Sequence, residues 1–246
     1  MKPILVLTLI TLLTVAPVSA SSAEDPMTVL QQPIDAFLTI LADPQYKDET
    51  KKVEQRNALW SVVETIFDFE EISRRALARN WRDFSPTQQQ EFVQVFSRIL
   101  SNAYISKMQS SYQNETVEYI GREIFNGDKA MVKTKIVRES LEIPIDYYMF
   151  VKDENWKVYD ITVEGVSLIR NYKTQFAKIL MRKTPKVLIE QLMKKAEKQE
   201  ADDSAHVRNL NVWLAVSLQG PLAHFSRPGI SPATGGLTIQ RSIAVP

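Results

Sequence analysis

WKVYDITVEGVSLIRNYKTQF, residues 156–176, decides the fold. Its first half, 156–163, is rich in aromatic and β-branched residues and reads as a strand. Gly165 then lets the backbone leave the sheet, because glycine adopts positive φ at little steric cost. Beyond it Leu168, Ile169, Tyr172, Phe176 and Ile179 recur at helical spacing. The polar residues Tyr159, Asp160, Glu164 and Ser167 admit a catalytic and a structural reading. Ser167 stands where the N-cap of the helix belongs. An Asp beside a strand end commonly serves a turn or a neighbouring Tyr, and strict alternation puts Asp160 on the face opposite Tyr159 and Ile161. The corner is the stronger reading.

Upstream of this corner lie three more strand patterns, TVEYIGREI (116–124), KAMVKTKIVRE (129–139) and IPIDYYMFV (143–151). Asn126-Gly127-Asp128 is a hairpin signal, since Asn-Gly accepts the positive φ of a tight turn. Asp153-Glu154-Asn155 is a second turn, so neighbouring strands are antiparallel. Residues 28–113 read as helices. Leu30, Ile34, Phe37, Leu38 and Leu41 share one spacing, as do Leu59, Val62, Val63, Ile66 and Phe67. Asp68 with Glu71, and Ser85 with Pro86 and Gln88, predict two further N-termini. The second opens a helix carrying Phe92, Phe96, Ile99, Leu100, Ala103 and Tyr104 on one broad face. Thr184-Pro185 opens a last amphipathic helix through Leu188, Ile189 and Leu192. Helices, a four-stranded antiparallel meander, then helices again predict an α+β domain.

The two ends read differently. Residues 1–20, MKPILVLTLITLLTVAPVSA, have a short positive start at Lys2, an apolar stretch over 4–15, and small residues before a cleavage point after Ala20 or Ala23. They predict a cleaved secretory signal peptide. Residues 201–246 hold both histidines and Gly220, Gly229, Gly235 and Gly236, with no sustained period after Leu218. They read as a disordered tail, or as an extension from a shifted stop codon. The predicted domain is 21–200.

Composition excludes several chemistries. The chain has no Cys, so it needs no disulfide in an oxidising compartment. Its 30 basic and 29 acidic residues nearly cancel, which gives no electrostatic case for nucleic acid. The body 21–200 has no His, which removes Ser-His-Asp and Cys-His catalysis and the usual zinc sites. Its glycines, Gly121, Gly127 and Gly165, form no phosphate loop. Paired-carboxylate chemistry on Asp146, Asp160 or Glu164 stays open in principle.

The apolar residues are the other candidate. Ile143, Ile145, Tyr147 and Met149 share one side of their strand, with Tyr148 and Phe150 on the other. Ala130, Val132, Thr134 and Ile136 share one side of the preceding strand. Helices covering both faces explain this excess, and so does an apolar cavity between a curved sheet and the helices. A cavity would hold an acyl chain by burial at about 0.8 kcal/mol per CH₂.

FDFEEISRRALARNWRDFSPTQQQEFVQVFSRILSNAYISKM (67–108), IPIDYYMF (143–150) and NWKVYDITVEGVSLIRNYKTQF (155–176) together resemble the MlaC, or toluene-tolerance auxiliary transport component, family over about residues 30–200. The resemblance implies a periplasmic phospholipid carrier, a monomer and not an enzyme. Its fold would be similar to the nuclear-transport-factor-2 cone, enclosing an apolar pocket. Bound phospholipid would be cargo, with no cofactor. The implied partners are an inner-membrane ABC transporter complex with its substrate-binding component and an outer-membrane lipoprotein–porin complex. Their exchange would maintain outer-membrane lipid asymmetry. The pocket residues predicted from alternation are Phe96, Leu100, Tyr104, Val132, Ile136, Ile145, Tyr147, Met149 and Val158. Lys133 and Lys135 are candidates for a headgroup contact at its mouth. A cone-fold enzyme using Asp160 or Asp146, and a ligand-free interaction module, are the alternatives.

Overall fold

A computed structural model of the chain describes residues 24–138 and 141–205. The predicted leader 1–20 lies outside them, as does the predicted tail beyond 205.

Four helices come first: α1 (Pro26–Ala42), α2 (Lys52–Ile66), α3 (Phe69–Leu77) and α4 (Pro86–Ser111). The start of α1 is capped by Asp25, whose carboxylate accepts from Met27 N at 2.9 Å. The start of α3 is set by Asp68, which accepts from Glu71 N at 2.9 Å. Ser85 and Gln88 form the reciprocal capping box of α4, at 3.2 and 3.0 Å. A 3-10 turn over Ala78–Asp83 joins α3 to α4, and it begins at a backbone cost: Ala78 has φ 50° and ψ −124°.

The meander follows as β1 (Thr116–Phe125), β2 (Lys129–Arg138), β3 (Leu141–Lys152) and β4 (Asn155–Val163), each antiparallel to the last. Asn126 and Gly127, at φ 54° and 80°, make the first hairpin turn. The second uses Asp153 and Glu154 at φ 49° and 65°, with the Asn155 amide donating to Asp153 O at 2.7 Å. Past Gly165 a two-residue strand, β5 (Val166–Ser167), folds back on β4, so the sheet has five strands where the sequence predicts four. Helices α5 (Leu168–Leu180) and α6 (Pro185–Ala205) complete the fold, and α6 runs past the predicted boundary at 200.

One prediction of side-chain direction fails. β4 carries a bulge: Val158 pairs Met149, Asp160 pairs Tyr148, and Tyr159 is the extra residue between them. The Tyr159 ring lies 6.3 Å from Tyr148 and 5.9 Å from Phe150. Asp160 and Tyr159 therefore share the outer face, against strict alternation. A second bulge, at Ile120, interrupts β1.

The apolar side chains gather in two clusters. A helical cluster draws Ile72 and Leu77 from α3, Phe92, Phe96 and Leu100 from α4, Tyr172 and Phe176 from α5, and Leu188 and Leu192 from α6. A sheet cluster joins Val132, Met149 and Val158 to Leu30 of α1 and Ile66 of α2. Phe67 packs against both. It stands at the α2–α3 joint, where Asp68 N donates to Val158 O at 3.0 Å and fastens the joint to the edge of β4.

Candidate functional site

The inner face of the sheet is built by register. Cross-strand pairs Val132–Tyr147, Thr134–Ile145 and Ile136–Ile143 put one row of β2 beside one row of β3. Met149–Val158 and Tyr147–Ile161 extend it to β4. Thr134 does not break its apolar character, because the hydroxyl donates to Ile145 O at 3.0 Å.

The predicted pocket residues divide among three environments. Val132, Met149 and Val158 are fully buried in the sheet cluster, with Tyr147 packed against it. Phe96 and Leu100 belong to the helical cluster, and Tyr104 packs against that one. Ile145 is buried and Ile136 half-buried, and neither is part of either cluster. Helical period gives the face of α4 but not its partner, and much of that face meets α5 and α6. Leu59 on α2, Ala103 and Ile105 on α4, and Ile143 on β3 are likewise buried outside both clusters. Apolar surface is thus removed from water on β3, α2 and α4 as well as in the two clusters.

The polar atoms of this interior are phenols. Burial pushes Tyr104 and Tyr147 up to about 12. Burial also raises Tyr172 far above its ordinary value, and the Tyr104 hydroxyl beside it adds to the rise. At neutral pH all three stay protonated and can donate a hydrogen bond without bringing charge into an apolar space. At the rim Tyr119 meets Asp35 of α1 at 3.4 Å.

The residues that look catalytic are committed elsewhere. Asp160 Oδ2 accepts from Ser167 at 2.6 Å, while Oδ1 accepts from Ile161 N at 2.9 Å and Ile169 N at 3.1 Å. Ser167 in turn caps α5 at Arg170 N, 3.0 Å away. Burial raises the Asp160 carboxyl, and these bonds oppose the rise. Asp146 takes a 3.3 Å bond from Thr162 on the outer face. Arg75 stacks 3.7 Å above the Tyr159 ring and pairs with Glu71 at 2.6 Å. The corner is a joint between sheet and helices. Lys133 and Lys135 also lie on the outer face, paired with Glu123 at 2.5 Å and with Glu118 at 3.0 Å. They do not border the inner face, because odd positions of β2 point away from it.

Among the described residues no group of three or more His, Cys, Asp or Glu could hold a metal. Among the same residues no helix is long and apolar enough to cross a membrane. Two surface hollows, of about 370 and 300 Å³, are lined by Arg74, Arg79, Arg82 and Trp81, and by Asp68, Lys152 and Lys157 with their neighbours. Both are charged and open, unlike the inner face. Sequence reasoning missed the lid of the sheet cluster, Leu30 and Ile66. Its signal was present in the helical spacing of α1 and α2, but spacing does not name the surface a helix covers.

The family model of the MlaC protein matches residues 31–194, which run from α1 into α6. The chain belongs to the MlaC family. Its curated relatives include the toluene tolerance protein ttg2D of Pseudomonas putida, 25% identical over 178 residues, covering 71% of this chain and 81% of that protein. The intermembrane phospholipid transport system binding protein MlaC of Haemophilus influenzae is 20% identical over 183 residues, covering 72% and 85%. Among solved structures, a phospholipid-binding protein of Ralstonia solanacearum in complex with a phospholipid superposes with a TM-score of 0.65 at 24% identity. That match covers 72% of this chain and 99% of the other, and it shows a shared MlaC fold.

Proposed function

We propose that the domain binds a phospholipid by its acyl chains and carries it through the periplasm after its leader is removed. The observation that carries this reading is the apolar inner face of the sheet, where Val132 pairs with Tyr147, Ile136 with Ile143 and Met149 with Val158 in adjoining rows. The names of the relatives and the cargo of the Ralstonia protein support the choice of lipid. In this reading Ile136, Ile145, Tyr147, Met149, Val132 and Val158 form the sheet wall. Tyr104 stands on the helix side, with Phe96 and Leu100 packed behind it in the helical cluster, and Tyr104 and Tyr147 supply neutral donors near the chains. The carrier acts as a monomer. It exchanges cargo with an inner-membrane ABC transporter complex and an outer-membrane lipoprotein–porin complex, and so maintains outer-membrane lipid asymmetry. It carries out no catalysis: Asp146 and Asp160 each have a structural partner, Glu164 sits in the turn before Gly165, and the body 21–200 contains no His or Cys.

The test is native mass spectrometry of the protein purified from a periplasmic extract, with lipid extraction. The expected result is a stoichiometric increment of phospholipid mass that Ile145→Asp removes. A clean apo mass that stays unchanged after incubation with phospholipid vesicles would overturn the carrier.

A further inference from the structure

α3 and α5 both start at β4, where Asp68 N bonds Val158 O and Ile169 N bonds Asp160. They pack on one another from there. Their far ends, the 3-10 turn at Ala78–Asp83 and the α5–α6 turn at 181–184, therefore emerge together at the pole away from the sheet. α5 also touches the 3-10 turn directly, and Trp81, Ile179 and Leu180 all pack on the helical cluster. The N-termini of α4 and α6 open at the same pole, and their dipoles add positive potential.

This pole is basic in a chain whose 30 basic and 29 acidic residues nearly cancel, so the rest of the chain carries the acidic excess. RRALARNWR (74–82) and KILMRKTPK (178–186) each contain four basic residues and no acidic one. Arg74 and Arg75 are tied to Glu71. Arg79, Arg82, Lys178, Arg182, Lys183 and Lys186 are exposed and pair with no carboxylate among the described residues. The carboxylates nearest in sequence are Asp83 and Glu190. Arg74, Arg79 and Arg82 surround the 370 Å³ hollow beside Trp81. At the tip of the neighbouring turn Met181 is 80% exposed.

We propose that this pole docks on an anionic phospholipid surface. Arg79 and Arg82 take headgroup phosphates in the hollow, and Arg182 and Lys183 add attraction around an inserted Met181. Guanidinium forks match phosphate oxygens. An exposed apolar side chain ringed by bases, with a half-buried Trp close by, is the arrangement of a membrane-interface contact, whereas an acidic protein surface would leave Met181 without a place. The proposal concerns where the protein meets a bilayer. It does not depend on the cargo reading, and the two fail separately in one experiment.

The experiment is flotation of the full exported chain with phosphatidylcholine vesicles, with or without about one-third phosphatidylglycerol. The protein should float with the anionic vesicles, not with pure phosphatidylcholine, and should be released by about 0.5 M salt. Arg79→Glu/Arg82→Glu should weaken partitioning at least twentyfold, from about fivefold per lost basic residue. Arg182→Glu/Lys183→Glu, on an exposed turn, should do the same if the first variant misfolds. Met181→Asp should reduce binding to the anionic vesicles. Bound cargo, weighed in the same preparations, should not change. No enrichment on anionic vesicles, equal binding to pure phosphatidylcholine, or wild-type binding by the charge-reversed variants would each overturn the proposal. Loss of lipid transfer by a variant without any vesicle binding by the wild type would overturn it too, and assign the pole to an acidic protein. Vesicle binding without bound cargo would instead overturn the carrier reading.

Discussion

The helical cluster and the inner face of the sheet bury similar residues in different ways. In the first, four aromatic rings lock one another. Phe96 lies 5.5 Å from Phe92, 4.8 Å from Tyr172 and 5.2 Å from Phe176, and Phe92 lies 5.4 Å from Phe176. Most of these contacts are edge-on, the arrangement that adds attraction beyond area. The sheet side is mostly aliphatic, and Ile143 and Ile145 are buried without entering a cluster. One region is closed by its own side chains. The other presents rows of aliphatic side chains side by side on one sheet face, which is what a carrier of apolar cargo requires.

The contrast is broken most directly by emptying the closed region. Phe92→Ala should cost about 3–5 kcal/mol in urea denaturation, with lipid per folded molecule unchanged. A large loss of bound lipid at full folding would mean the two regions are one. Ile145→Trp attacks the other side. If the space there is for cargo, stability should stay within about 1 kcal/mol while bound lipid falls; a packed site would lose about 1–3 kcal/mol to overpacking. Ala78→Gly should raise stability by about 1–3 kcal/mol by relieving the positive φ that ends α3. Ser167→Ala removes the cap of α5 and a donor to Asp160, and should cost about 0.5–2 kcal/mol by the same measurement. The smallest effect concerns acid. Burial works against the Glu71 carboxylate, but bonds from Arg74 and Arg75 hold it below its ordinary value. Its contribution is therefore present above about pH 4.5 and is lost as pH falls through the lowered value. Glu71→Gln should flatten that part of the acid unfolding curve.

Local signals were legible wherever one residue type does one job. Asp68, Ser85 and Ser167 were readable as caps, and Asn126-Gly127 and Gly165 as turns, because the chemistry of each is complete within a few residues. The strand faces of β2 and β3 followed from alternation. The face at Tyr159–Asp160 did not, because a bulge adds a residue that alternation does not count. The division of the predicted pocket between two clusters was hidden for another reason. Period assigns Phe96 and Leu100 to a face of α4, and only the packing of α5 and α6 says what that face meets. The basic pole was spread over segments about one hundred residues apart, each with the look of an ordinary solvated helix end.

The bridge between Phe67 and Val158 has a consequence for how copies of this protein behave toward each other. β5 covers Thr162 and Val163, and the α2–α3 joint covers Val158, so the β4 side offers no continuous row of free amides. The β1 side exposes Ile120, Ile124 and Phe125, but the Ile120 bulge interrupts the row, and Glu118, Arg122 and Glu123 put charges along it. A sheet guarded on both flanks resists templated fibre growth. A chain that contains no cysteine can thus resist edge-to-edge association without a covalent brace.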